Sequence, residues 1–235
     1  MPILGSIIKG AINIRSKIPT LKSTYSQQQR QLKKLIHKAQ FTSFGKKYNF
    51  SDMDLMSDPV EYFQKTVPIY DYQSIFDSWW HRSLKGEKDV CWPGKIKYFA
   101  LSSGTSESSS KHIPVTKDFI KTIHKGTLKQ ILSTRNFNFT KEQYETEILF
   151  VGGSTNLSYN GTNFSGDLSG ITTGTQPRWF QNFTLPGPEI RSIENWEKKL
   201  DAIVKNAKNW DVGFICGVPA WIQIVFERII KYYNV

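Results

Sequence analysis

Apolar positions recur at helical spacing in the first third of the chain. Further on, helical stripes alternate with short unbroken apolar runs. Over 24–39, Tyr25, Leu32, Leu35, Ile36 and Ala39 share one face with Gln, Lys and Arg opposite, which predicts an amphipathic helix. Ser57-Asp58-Pro59 is a helix start, predicting a helix over 59–65 that ends before Val67-Pro68. A second short helix is expected over 71–80, Trp92-Pro93-Gly94 is a turn, and 96–101 is a strand. A polar loop, 102–111, then leads through Ile113-Pro114-Val115 into a helix over 117–132, with Ile120, Ile123, Thr127, Leu128 and Ile131 inward.

Glu147–Val151 is an apolar run of the kind a sheet buries on both faces. Residues 152–177 are rich in Gly, Ser, Thr and Asn, with Asp167 the one charge. So long a segment is a functional loop, a disordered loop or an unrecognised pair of strands. Ser192 is placed as the cap of a helix with Ile193, Trp196, Leu200, Ile203, Val204 and Ala207 on one stripe. A strand over 212–216 turns at Gly217-Val218-Pro219 into a last helix, Pro219–Tyr233. Strands alternating with helices predict an α/β fold, with a largely parallel or mixed sheet flanked by helices.

Composition sharpens this picture in three ways. With 39% hydrophobic and 22% charged residues, the 235-residue chain is of globular type. Cys91 and Cys216 are its two cysteines, too few for a disulfide scaffold or a cysteine-based metal cluster, and they fit a reducing, cytoplasmic location. The formal charge of +11 is concentrated at one end: residues 1–50 hold ten Lys or Arg and no Asp or Glu, whereas the remaining 185 hold 21 basic and 20 acidic residues. We therefore divide the chain into a basic, helical segment over 1–50 and an α/β region over 51–235. Such a segment suits nucleic acid, an anionic membrane or an acidic partner, or is a solvated helix face. No RNA- or DNA-binding motif accompanies it, so no nucleic acid is expected. No run of about 18 apolar residues predicts a transmembrane span, and Lys9 interrupts the stretch that imitates a signal peptide.

The candidate chemistry lies in the loop Ser102-Ser103-Gly104-Thr105-Ser106-Glu107-Ser108-Ser109-Ser110-Lys111. Placed between a strand and a helix, it would stand where open α/β sheets bind ligands. Its hydroxyls and backbone N–H groups can surround phosphate oxygens, and Lys111 can offset their charge. Counted from Gly104, the second Gly and the Lys of a Walker loop are both serines here, and a flexible serine-rich linker remains the alternative. The four histidines lack metal-ligand spacing, Gly152-Gly153-Ser154-Thr155-Asn156 lacks the closing Gly of a nucleophile elbow, and no GxGxxG follows a strand.

In its setting the loop resembles a known family. Val67-Pro68-Ile69-Tyr70-Asp71-Tyr72, Trp92-Pro93-Gly94, Phe99-Ala100-Leu101-Ser102-Ser103-Gly104-Thr105-Ser106 with Lys111, Gly152-Gly153-Ser154-Thr155, Gly166-Asp167-Leu168-Ser169-Gly170-Ile171 and Gly217-Val218-Pro219-Ala220-Trp221 occur in order. They resemble the auxin-responsive acyl-acid amido synthetases, most closely the bacterial type. The resemblance implies an adenylate-forming ligase that activates a carboxylic acid with ATP and Mg²⁺ as an acyl-adenylate and passes it to an amine or amino acid. It implies that Ser102, Ser103, Gly104, Thr105, Ser106 and Lys111 bind the ATP phosphates, and that 152–180 borders the acyl-substrate pocket. The chain departs from the plant pattern at Glu107-Ser108-Ser109-Ser110 and lacks the family's later nucleotide motifs. We therefore expect the incomplete, N-terminal part of the large domain, truncated and with little turnover alone. The competing expectation is a non-catalytic module that docks through its basic segment to an acidic partner or membrane surface.

Overall fold

Local signals set most helix starts. In the computed structural model, which describes residues 9, 10, 14, 23–102 and 110–235, the Ser23 hydroxyl accepts from the Ser26 N–H and opens α1 (Thr24–Ala39). Ile36 and Ala39 are buried and Leu32 packs beside them, but Tyr25 and Leu35, expected on the same face, are exposed. Thr42 caps α2 (Ser43–Lys47), which enters close under α1: a Cβ on Gly45 would lie 2.1 Å from the Ala39 carbonyl oxygen. α3 (Phe50–Leu55) and α4 (Val60–Thr66) follow, the latter begun by Asp58 Oδ1 accepting from Val60 N–H. Asp71 caps α5 (Tyr72–Ile75), which continues through a π-helical turn (Phe76–Trp80) into α6 (His81–Leu84).

These helices belong to one of two compact units, built from Thr20–Thr116 with Tyr159–Ser165. Its core holds Ile36, Ala39 and Tyr48 together with Phe50, Met53, Trp79 and Val90, so residues on both sides of position 50 share it. Phe44 meets Tyr48 and Trp79 edge-on, at ring separations of 4.7 and 5.2 Å. The unit also carries a four-stranded sheet of order β2-β1-β5-β4, from β1 (Tyr98–Leu101), β2 (His112–Val115), β4 (Ser158–Tyr159) and β5 (Phe164–Gly166).

The other unit includes Lys117–Ser158 and Gly166–Val235. It opens with α7 (Lys117–Ser133), where Ile120 is buried but Leu128, expected inward, is exposed. Its sheet is parallel: β3 (Glu147–Val151) lies between β6 (Thr184–Leu185) and β7 (Val212–Gly217). The segment before β6 folds into α8 (Leu168–Gly174) and α9 (Arg178–Gln181). α10 (Pro188–Arg191), α11 (Trp196–Asn206) and α12 (Pro219–Tyr233) complete the unit, whose core joins Leu149, Val151, Leu185, Leu200, Ile203 and Val225. α11 begins three residues later than Ser192 suggested. Asn195 is the cap, accepting from Lys198 N–H at 2.9 Å, and Ser192 ends α10 instead. The α/β expectation stands, with the sheet structure mixed. Among the described residues no helix is long and apolar enough to cross a membrane.

β7 is an edge strand, and its apolar sequence is only partly covered. Val212 and Cys216 are exposed, as are Phe226 and Ile230 on α12. The Cys216 thiol accordingly stands at this border and not in the core.

Candidate functional site

The polar loop 102–111 joins two strands. β1 and β2 pair antiparallel, with Leu101 opposite His112, Ala100 opposite Ile113 and Phe99 opposite Pro114. This corrects the strand-to-helix placement. Ile113-Pro114-Val115 is too short, and proline too unusual in a strand, to register as one, yet β2 lies at the sheet edge, where a missing N–H is tolerated. The strands on either side of the loop therefore form a hairpin of the four-stranded sheet, not a strand-to-helix connection.

Of the predicted phosphate ligands, Ser103, Gly104, Thr105 and Ser106 lie outside the described residues. Ser102 and Lys111 face each other across the hairpin mouth. Ser102 N–H donates to the Lys111 carbonyl at 3.1 Å, and Lys111 N–H donates to Ser102 Oγ at 3.2 Å. Lys111 itself is exposed, its ammonium 5.0 Å from the centre of the Tyr72 ring.

Two residues beneath the mouth escaped the residue-level reading. Tyr72 accepts the His112 N–H at 2.9 Å through its hydroxyl, and its ring stacks on Phe76 at 5.6 Å and meets Trp80 edge-on at 6.2 Å. Asp71 accepts from Ser74 N–H at 2.7 Å and Ser74 Oγ at 2.5 Å. Its carboxyl is held below the usual range, chiefly by those Ser74 bonds and further by the Lys111 charge. The tyrosine-to-hairpin bond spans 40 positions, so no local pattern could have shown it.

The stretch 152–177 supplies β4 and β5 to the four-stranded sheet and α8 to the other unit, so of its three expected readings the strand pair is the one present. The loop after β3 is tightly held. Gly153 N–H donates to Ser169 Oγ at 2.9 Å, Thr155 N–H to the Arg191 carbonyl at 3.0 Å, and Ser154 Oγ to the Ser192 carbonyl at 2.9 Å. Buried Lys199 donates to the carbonyls of Arg191 (3.0 Å) and Gly152 (3.3 Å); burial pushes its ammonium down, partly opposed by Asp167. Arg191, also buried, donates to Thr184 at both its carbonyl and its hydroxyl.

A separate open groove of about 550 Å³ lies in the helical unit, lined by residues that include Lys38, Phe41, Lys46, Lys88 and Asp89 and by none of the hairpin. Among the described residues no three His, Cys, Asp or Glu side chains come together as metal ligands.

The chain is thus a mixed α/β structure in which Ser102 and Lys111 flank the connection of an antiparallel hairpin. The comparisons give the family. Residues 19–200 match the model of the GH3 family N-terminal domain, and the chain belongs to that family. A sequence search of curated proteins finds no match. Among solved structures it is similar to GH3.15 acyl acid amido synthetase, with a TM-score of 0.70, 14% identity, and coverage of 96% of this chain and 39% of that one. It is also similar to AtGH3.15 acyl acid amido synthetase in complex with 2,4-DB, with a TM-score of 0.66, 16% identity, and coverage of 100% of this chain and 40% of that one. At such identity the likeness is one of fold, and the chain spans about 40% of the length of these structures.

Proposed function

We propose that this chain is the N-terminal part of an ATP-dependent acyl-acid amido synthetase acting in the cytoplasm. The observation that carries the reading is the family match over 19–200, which runs through the hairpin and includes the Ser102–Lys111 mouth. In this reading Ser102, Ser103, Gly104, Thr105, Ser106 and Lys111 hold the ATP phosphates. A carboxylate oxygen of the acid attacks the α-phosphorus, pyrophosphate leaves, and an acyl-adenylate results. An amine or amino acid then displaces AMP to form the amide. Negative charge grows on the departing pyrophosphate, and a cation fixed at the loop mouth stabilises that change more than it stabilises bound ATP.

The donor set suits phosphate: hydroxyls, backbone N–H groups and one ammonium. Mg²⁺ would arrive with ATP as the counterion of the triphosphate. The 2,4-DB complex of a fold relative supports a small carboxylic acid as the substrate class. Alone, a chain spanning about 40% of such relatives would not turn over.

Calorimetric titration with MgATP tests the phosphate site. Binding weakened at least about tenfold in Lys111→Ala is expected, since losing a charge-assisted contact costs about 1.5–3 kcal/mol. Absent or unaltered binding overturns the assignment. Robust ATP–pyrophosphate exchange by this chain would overturn its proposed incompleteness.

The groove favours a second reading, because Lys38 and Lys46 bring the basic N-terminal segment to it. A module docking an acidic partner there would bind a polyglutamate peptide with an affinity that falls with salt and with Lys46→Glu, but is indifferent to Lys111→Ala.

A further inference from the structure

We propose that Tyr72 is a positioning residue for Lys111, its hydroxyl fixing the start of β2 and its ring face holding the ammonium at the hairpin mouth. The inference rests on the reading of that mouth as a phosphate site. A lysine stem has four rotatable bonds, so an exposed ammonium samples many positions unless something beneath it narrows the choice. Here an aromatic face lies 5.0 Å below. That face is itself held, stacked on Phe76 and edged by Trp80. The hydroxyl of the same ring takes the N–H of His112, the residue next to Lys111, so one side chain fixes both the backbone and the charge.

The surrounding residues support this role. Tyr70, two positions earlier, bonds through its hydroxyl to Tyr48 and accepts from Trp79 Nε1 at 3.2 Å, which anchors the chain to the core. Asp71, between them, caps the helix that carries Tyr72 and adds a negative charge near the ammonium. Tyr70-Asp71-Tyr72 is thus a bracket, with one tyrosine turned to the core and the other to the loop mouth. Tyr72 does not react. It would act on phosphate only through Lys111.

The test uses the 235-residue chain with ¹³C-labelled lysine and inorganic tripolyphosphate as the probe. Lys111→Ala assigns the Lys111 ε-methylene signal. In the wild type that signal should be shifted upfield of the other lysines by the ring. Tyr72→Phe, which keeps the ring, should retain the shift, and Tyr72→Leu should lose it. Tripolyphosphate affinity should fall roughly two- to fivefold in Tyr72→Leu and be largely rescued in Tyr72→Phe. In the Lys111→Ala background Tyr72→Leu should cost nothing further, because the tyrosine acts through the lysine.

An unshifted Lys111 signal in the wild type overturns the proposal with no variant needed. So does equal tripolyphosphate binding by the wild type and Tyr72→Leu where Lys111→Ala binds weakly. An upfield-shifted Lys111 in a wild type that binds no tripolyphosphate leaves the placement standing and overturns the phosphate reading instead.

Discussion

Cys91 should make the protein lose stability in mild alkali. The residue packs against the helical core, and burial pushes its thiol from 9.0 to about 12, with the Arg82 guanidinium pulling weakly the other way. Above about pH 9 the unfolded thiol ionises while the native one stays protonated. The native state then holds more protons, and stability falls as pH rises. The slope approaches about 1.4 kcal/mol per pH unit, so between about pH 8 and pH 10 this one group removes about 1.4 kcal/mol, and partial solvent access reduces that toward about 1.

Denaturant unfolding of wild type and Cys91→Ala at both pH values reads the effect. The packing cost of the missing sulfur is common to both pH values and cancels in the double difference. Tyr48, raised to about 12 chiefly by its burial and then by its bond to Tyr70, contributes in both proteins and cancels too. The variant should therefore lose about 1 kcal/mol less than the wild type over this interval. Parallel losses, or a native thiolate absorbance that rises near pH 9, would refute the reasoning.

Gly170→Ala should lower the denaturation midpoint sharply, because its Cβ would stand 1.9 Å from the Ser154 carbonyl oxygen; overpacking of this kind costs about 1–3 kcal/mol. Gly126→Ala, at an open exposed position inside α7, should raise stability by about 0.5–1 kcal/mol in the same assay. Asn195→Ala should cost about 1 kcal/mol as a lost cap, while Ser192→Ala stays within a few tenths, and the reverse order would undo the placement of the α11 start. Lys199→Met should flatten a pH dependence that the wild type shows. With its ammonium pushed down by burial, wild-type stability rises with pH from that lowered native value toward about 10.5, and urea titrations across this range would detect the difference.

Where neighbours in sequence decide the structure, the sequence was legible. Ser23, Asp58 and Asp71 each supply an oxygen to an N–H two or three residues on, and each opens the helix expected there. β3 announced itself as an unbroken apolar run. What stayed hidden was made by distant partners. β2 is a strand because β1 pairs with it, and its own four residues include a proline. α8, Leu-Ser-Gly-Ile-Thr-Thr-Gly, is composed mostly of poor helix formers and is held by a buried Ile171 and by Gly170 packed against Ser154. Arg191 and Lys199 are buried cations that no local pattern marks; they donate hydrogen bonds to the carbonyls of residues 184, 152 and 191, which other segments bring to them. At the hairpin, composition and motif singled out Ser102 and Lys111, whereas their pairing across the mouth and the bond from His112 to Tyr72 required the fold.

The rim of the parallel sheet also bears on how this protein behaves at high concentration. Val-Gly-Phe-Ile-Cys-Gly on β7 carries no lysine, proline or inward charge to discourage another strand from docking, and among the described residues its far side has no neighbour. Together with the thiol of Cys216 at that border, this makes β7 the place where chains would first adhere to one another and cross-link in air. A charged residue at Val212 together with Cys216→Ser is the first change to make for keeping preparations clear.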